Sequence, residues 1–214
     1  MRLNNTLARF LSVVFHPLLM PTFVFGILLF QVPNVLGVDV YAPTVRLSLL
    51  VLIFIGTFGV PALLIYYLYR SGLIQTLHLT TLADRRLPFF LTALIYMFLT
   101  YLFLFRMQLI STIAPEIGIL LGSIALSILL VGVISLYWQI SAHSVGISGV
   151  VGILAGIILK SNLTELFIPL LLTILVTGLV CSARLKLNAH TPAQIGVGVM
   201  LGLIVSLVAV FWLV

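Results

Sequence analysis

Long apolar runs alternate with short polar stretches along the whole chain. Seven runs, each near the roughly 20 residues that a helix needs to cross a bilayer, lie near 8–32, 46–69, 88–105, 117–138, 145–160, 166–182 and 194–214. Because lipid offers the backbone no hydrogen-bond partner, we expect every run to be helical. His16-Pro17 and Pro21 interrupt the first run, which is therefore predicted to be a kinked span or a re-entrant segment. The pattern predicts an all-α polytopic membrane helical bundle with six or seven spans.

Composition narrows the class of protein further. Of the 214 residues, 63% are hydrophobic and 7% charged, against about 25% charged in soluble domains. The longest connection, residues 70–87, is too short for a soluble domain, so residues 1–214 are expected to form one membrane domain. The net charge of +6 is spread over loops, which argues against nucleic acid as a partner and fits anionic lipid. Cys181 is the single cysteine, which excludes an intrachain disulfide.

Two local patterns give further expectations. The stretch Ser71 to Leu87 is weakly amphipathic and is predicted to lie along the membrane surface, with Pro88 starting the third span. Gly152-x-x-x-Gly156 and Gly198-x-x-x-Gly202 have the spacing that lets membrane helices pack closely.

Three polar loops are predicted to share one membrane face. One contains Arg85 and Arg86 and follows the second run, one contains His143 and follows the fourth, and one contains His190 and follows the sixth. An even number of spans separates them, so they emerge on the same side. The opposite side receives three of the four acids, Asp39, Glu116 and Glu165. A cationic, histidine-containing face indicates an anionic ligand.

The densest polar chemistry is in the stretch from Ser182 to Gly198. Thr191 is suited to cap a helix, and Pro192 fits the first helical position. His190 and Arg184 would then lie near a helix N-terminus, where free amides and the helix dipole attract anions. A phosphate site is one interpretation. The alternative is a surface loop whose cations meet lipid headgroups.

Two histidines with surrounding cations suit phosphoryl transfer. One imidazole can attack phosphorus while the other protonates the departing oxygen, and arginines match the phosphate oxygens. The residues alone leave this reading and the headgroup reading about equal. A metal site is not expected, because no histidine pair has helical ligand spacing and no carboxylate lies near His143 or His190 in the sequence.

The motifs together resemble the type 2 phosphatidic acid phosphatase family, within the acid phosphatase and vanadium haloperoxidase superfamily. That family has Lys-x6-Arg-Pro, then Pro-Ser-Gly-His, then Ser-Arg-x5-His-x3-Asp. The third motif is matched by residues 182–194, with one residue inserted between serine and arginine, the second by residues 140–143, and the first, in degraded form, by residues 78–88. The resemblance covers roughly residues 60–210 and implies a six-helix core, about 46–214, with a possible extra N-terminal span.

The resemblance implies a catalytic role for three residues. His190 would be the nucleophile that forms a phosphohistidine, and His143 would be the general acid for the leaving alcohol. Gln194 stands where the family has an aspartate that orients the nucleophile. Its amide oxygen can accept a hydrogen bond but carries no charge, and the equivalent replacement in a serine protease triad costs about 10⁴ in rate.

The same resemblance implies a set of phosphate-binding residues. Arg184 and one of Arg85 or Arg86 would hold the phosphate, and Ser141 would donate a hydrogen bond. His78 occupies the position of the family's lysine, with six residues between it and Arg85.

The function implied is removal of phosphate from a lipid phosphate or pyrophosphate, without a metal or other cofactor. A catalytically silent protein that binds or moves a phosphorylated lipid is the second hypothesis, and a structural membrane protein is the third. The positive-inside rule places the site in the cytoplasm for seven spans and outside if the first run is re-entrant. The resemblance implies a multi-pass protein of a bacterial inner membrane with the site facing outward. The oligomeric state is left open.

Overall fold

The computed structural model describes residues 4–107 and 114–213, in which the regular structure is helical and no strand is found. The α-helices of this part of the chain are α1 (Asn5–Val14), α2 (Met20–Gln31), α3 (Pro43–Phe54), α4 (Val60–Arg70), α5 (Leu82–Tyr101), α6 (Pro115–Ile134), α7 (Ala142–Ser161), α8 (Phe167–Lys186) and α9 (Pro192–Leu213). Short 3₁₀ turns at Pro17–Leu19, Pro33–Leu36 and Thr164–Leu166, and π turns at Ile55–Gly59 and Leu102–Arg106, join or extend them.

Seven helical segments of the described residues are long and apolar enough to cross a membrane. They are Asn5–Gln31, Pro43–Arg70, Leu82–Arg106, Pro115–Ile134, Ala142–Ser161, Thr164–Lys186 and Pro192–Trp212. Each corresponds to one of the seven apolar runs. The prediction of an all-α polytopic bundle is confirmed, and the chain is a multi-pass integral membrane protein.

The first segment is bent at the position that its prolines indicate. α1 ends at Val14, and the 3₁₀ turn Pro17–Leu19 leads into α2. Nδ1 of His16 accepts a hydrogen bond from the backbone N–H of Leu18 at 3.3 Å, so this side chain caps the turn. The whole segment has 27 residues, which favours a kinked span over a re-entrant piece.

The third span begins before Pro88, so the start expected for that span is wrong. Residues 71–81 form turns, and α5 begins at Leu82. The hydroxyl of Thr81 accepts a hydrogen bond from the backbone N–H of Asp84 at 3.1 Å. This cap fixes the helix start, and a cap followed by an acid in the first turn is a stronger start signal than a proline further along.

α7 and α9 pack closely against each other. A Cβ on Gly202 would overlap the Ser148 hydroxyl and the Val145 carbonyl, and one on Gly152 would lie 2.8 Å from Cβ of Ser206. Glycine is therefore required where the two backbones approach, which confirms the packing role of the Gly-x-x-x-Gly patterns.

The hydrophobic core is centred where α2, α6 and α7 meet, around the fully buried Phe25, Leu28, Leu120 and Leu154.

Spans two and three are joined by a hydrogen bond at a π turn. The buried hydroxyl of Tyr96 donates to the Thr57 carbonyl at 2.8 Å. A π turn leaves a carbonyl outside the normal ladder, and here a neighbouring helix uses it.

Candidate functional site

The first two polar loops meet through their backbone carbonyls. Nη1 of Arg85 donates to the carbonyl of Ile140 at 2.9 Å, and its Nε donates to the carbonyl of Leu79, also at 2.9 Å. The side-chain amide of Gln139 donates to the carbonyl of Thr80 at 3.4 Å. Arg85 is only 6% exposed, so it is a buried cation that ties the two loops together.

The third loop joins the second through the start of α9. The backbone N–H of Ser141 donates to the Gln194 carbonyl at 3.3 Å. Nδ1 of His190 lies 3.2 Å from the Gln139 carbonyl. All three loops therefore converge at one end of the bundle, as the even number of intervening spans predicts.

The start of α9 is a reciprocal capping box. The backbone N–H of Gln194 donates to the Thr191 hydroxyl at 3.3 Å, and Oε1 of Gln194 accepts from the backbone N–H of Thr191 at 3.1 Å. This is the Thr-x-x-Gln arrangement that satisfies two free amides at a helix start. The helix start expected from Thr191 and Pro192 is confirmed, because α9 begins at Pro192.

The capping box also determines which nitrogen of His190 carries the proton. The Thr191 N–H can only donate, so the amide atom that it meets must be the oxygen of Gln194. That oxygen lies 3.2 Å from Nδ1 of His190, and the second neighbour of Nδ1 is the Gln139 carbonyl. With an acceptor on both sides, Nδ1 carries the hydrogen and Nε2 keeps its lone pair. Within the described residues, Nε2 makes no hydrogen bond.

The surroundings keep His190 neutral. Burial lowers its pKa from 6.5 to about 4, and the positive charges of Arg85 and Arg184 act in the same direction, while the hydrogen bonds to Gln194 and Gln139 oppose them. At neutral pH the ring is therefore an unprotonated imidazole with a free Nε2, which is the form that can act as a nucleophile.

An open cleft of about 450 Å³ lies beside His190. Its lining is largely polar and comes from the second and third loops: Gln139, Leu185, Asn188, Ala189, His190, Thr191, Pro192 and Gln194. Two of the predicted site residues, His190 and Gln194, line this cleft. Gln139 is a participant that the sequence did not indicate, because it acts through its backbone carbonyl as well as its amide.

Arg184 lies on the inner side of the third loop, at the end of α8. Its Nη1 donates to the hydroxyl of Ser12 at 3.3 Å, and its Nε is buried without a hydrogen-bond partner among the described residues. In that part of the chain, the hydrogen bonds of Arg184 and Arg85 go to carbonyls and one hydroxyl, and none goes to a carboxylate. Within the described residues, the buried Arg85 and the partly buried Arg184 therefore have no carboxylate partner.

His143 contacts the first span rather than the cleft. Its Nε2 lies 3.0 Å from the carbonyl of Ser12, and its ring packs edge to face on His16, with ring centroids 5.6 Å apart. Ser12 also accepts a hydrogen bond from Arg184, so His143 and Arg184 share this contact with the first span. Ser12 and His16 are spaced four residues apart, which is the signal that could have indicated them from the sequence.

The other predicted residues differ in how they are placed. The oxygen of Ser141 is fully buried and accepts hydrogen bonds from the N–H and the hydroxyl of Ser144, so it caps α7. Arg86 is exposed and donates to the Leu136 carbonyl at 3.3 Å. His78 lies exposed on the turn-containing loop. Of the two adjacent arginines, Arg85 is therefore the one brought to the meeting point of the loops.

Within residues 4–107 and 114–213, no group of three or more histidine, cysteine, aspartate or glutamate side chains could hold a metal ion. The geometry defines a multi-pass membrane protein with a cationic, histidine-containing site at one end of its helical bundle. Comparisons with models of protein families, with curated proteins and with solved structures find no match to this chain.

Proposed function

We propose that this protein binds the phosphate of a membrane lipid at the meeting point of its three polar loops and removes that phosphate through His190. The observation that carries the proposal is a neutral His190, with Nε2 free and Nδ1–H held by two acceptors. Beside it lie the buried Arg85 and the partly buried Arg184, neither of which has a carboxylate partner among the described residues.

The buried Arg85 and the partly buried Arg184 support an anionic ligand. A desolvated charge is costly unless an opposite charge or several hydrogen bonds compensate it. Arg184 has a buried Nε without a partner in the described structure, and a phosphate could satisfy it. One guanidinium can donate two parallel hydrogen bonds to two oxygens of a phosphate. Arg184 and Arg85 are therefore suited to hold the phosphate while charge develops on it.

The proposed reaction has two steps. Nε2 of His190 attacks phosphorus, the bond from phosphorus to the lipid oxygen breaks, and the departing oxygen takes a proton. Water then attacks the phosphohistidine, the nitrogen–phosphorus bond breaks, and inorganic phosphate leaves. If His143 supplies the first proton, its ring must first be an imidazolium, because in the neutral ring the hydrogen is on Nε2, facing the Ser12 carbonyl, and Nδ1 carries none. The imidazolium then gives the proton from Nδ1 and returns to the neutral form.

Binding without turnover is the second candidate. Two observations favour it: Gln194 supplies an oxygen without negative charge to His190, and His143 does not line the cleft beside His190. In this case the same arginines bind a phosphorylated lipid, and no phosphohistidine forms.

Phosphate release from the purified full-length chain tests the proposal. The protein in detergent is offered phosphatidate, lysophosphatidate and a polyprenyl diphosphate, and His190→Ala serves as the matched inactive variant. Release that depends on His190 supports the enzyme. Binding of the same lipids without release supports the second candidate. If the protein neither binds these lipids nor releases phosphate from them, both candidates are refuted.

For its cellular setting we propose a bacterial inner membrane with the site facing outward. Asn188 lies in the lining of the cleft and is exposed, so an Asn188→Cys variant can report the side. Labelling of that cysteine in intact cells by a membrane-impermeant maleimide is expected. Labelling only after cell lysis would place the site in the cytoplasm.

A further inference from the structure

We infer that the N-terminal helix α1 is part of the phosphate site and that Ser12 is a positioning residue for Arg184 and His143. This inference rests on the proposed function and extends it to a segment outside the residues of the three loops.

Ser12 contacts both residues at once. Its hydroxyl donates to the Ala8 carbonyl at 2.9 Å and accepts from Nη1 of Arg184 at 3.3 Å. Its backbone carbonyl lies 3.0 Å from Nε2 of His143. The partners are 172 and 131 residues away in sequence, and Ser12 itself is 8% exposed. One buried residue therefore links the first span to the second and third loops.

The hydroxyl of Ser12 orients Arg184. Since this hydroxyl gives its hydrogen to Ala8, its lone pairs are directed to the guanidinium. In the described structure the Arg184 guanidinium bonds to this hydroxyl through Nη1, and its Nε is buried and unpartnered. Holding Nη1 in place leaves the rest of the planar group pre-organised for an anion, which lowers the entropy lost on binding.

The carbonyl of Ser12 selects the tautomer of His143. An oxygen facing Nε2 requires a hydrogen on that nitrogen, so Nδ1 is the nitrogen left to exchange a proton. His16 keeps the ring in this orientation by edge-to-face packing. The His16 ring is itself fixed, because its Nδ1 accepts from the Leu18 N–H.

Packing explains why α1 can reach the site. Its buried face consists of Ala8, Leu11 and Ser12, and Ala8 and Leu11 form a small cluster with Ala183 of α8. Small side chains on both helices allow a close approach. Ala183 precedes Arg184, so the contact that docks α1 also places Ser12 next to the guanidinium.

The test compares Ser12→Ala with Ser12→Thr in the purified full-length protein. The probe is dioctanoyl phosphatidate, with dioctanoylglycerol and inorganic phosphate as separate arms, and the readouts are Kd and the rise in Tm caused by the ligand. Losing a hydrogen bond to a charged group is expected to weaken phosphatidate binding about tenfold in Ser12→Ala, while Ser12→Thr keeps most of the affinity.

Ser48→Ala is the matched control, because the Ser48 hydroxyl donates to the Thr44 carbonyl four residues back, as Ser12 does to Ala8, and lies exposed on another span. If Ser12→Ala does not fold, Ser12→Cys replaces it, since a thiol is a poor acceptor. Unchanged Kd in the Ser12 variants, with or without a lower Tm of the free protein, overturns the inference. Absence of phosphatidate binding in the unaltered protein refutes the proposed function instead.

Discussion

Replacing Gln194 by glutamate places a negative charge beside His190 without changing the shape of the side chain. The oxygen at this position lies 3.2 Å from Nδ1 of His190 and 3.1 Å from the Thr191 N–H. Glutamate is compatible with the capping box, whose usual forms have Glu or Gln at this position. The substitution therefore changes charge while the start of α9 is retained.

The size of the effect follows from this distance. At 3.2 Å and an effective dielectric constant of about 20, a carboxylate and an imidazolium attract each other by about 5 kcal/mol, an upper value. Close opposite charges usually raise or lower a pKa by about 1–3 units. The pKa of His190, now about 4, is thus expected to rise to between about 5 and 7.

The sign of the change in pH dependence is fixed by the role of His190. A nucleophile must be unprotonated, so activity is lost as pH falls through its pKa. The acid limb of kcat/KM is therefore expected to move to higher pH in Gln194→Glu, and the rate on the plateau is expected to increase because the imidazolium character of the transition state is stabilised.

Two assays measure this change. Nitrogen-15 NMR of labelled histidine gives the pKa of His190 even if turnover is absent, with the signal assigned by comparison with His190→Gln. Phosphate release from phosphatidate between pH 4 and 8 gives the kinetic limb. Gln31→Glu is the control for added charge, because Gln31 ends α2 and lines a different groove. A His190 pKa that stays near 4 in Gln194→Glu would refute the hydrogen-bond geometry on which the proposal depends.

Three further outcomes are expected. Arg85→Ala should weaken phosphatidate binding at least tenfold because it removes a buried cation, whereas the exposed Arg86→Ala should change it less than threefold; equal losses in a calorimetric titration would contradict this. Gly202→Ala should lower Tm, because the added Cβ overlaps α7. Gly178→Ala, with nothing within 4 Å of its Cβ, should leave Tm unchanged or slightly higher. A similar Tm for both variants would be inconsistent with the close helix contact. Burial disfavours the protonated form of His190. The free energy of unfolding should therefore fall by up to about 3 kcal/mol as pH drops from 6.5 to about 4, and should change little below pH 4. The fall should be smaller in His190→Gln when unfolding is followed at each pH; equal slopes would argue against a neutral His190.

The sequence alone predicted the features that depend on short-range chemistry. The number and position of the spans follow from hydropathy, because a helix that crosses a bilayer must be long and apolar. The beginning of α9 follows from Thr191 and Pro192, since a cap and a proline act within one turn. Even the convergence of the three loops could be predicted, because counting spans assigns each loop to a side.

Tertiary structure decided which side chains meet. Arg85 and Arg86 are adjacent in the sequence, yet one is buried against the Ile140 carbonyl and the other is exposed. The contact of His143 and Arg184 with Ser12 spans more than half of the chain. Hydrophobic periodicity predicts that a helix has a buried face, but it does not predict which neighbouring helix packs against that face. The contact of α1 with the proposed phosphate site and the hydrogen bond from His190 to the Gln139 carbonyl therefore depend on how the spans pack.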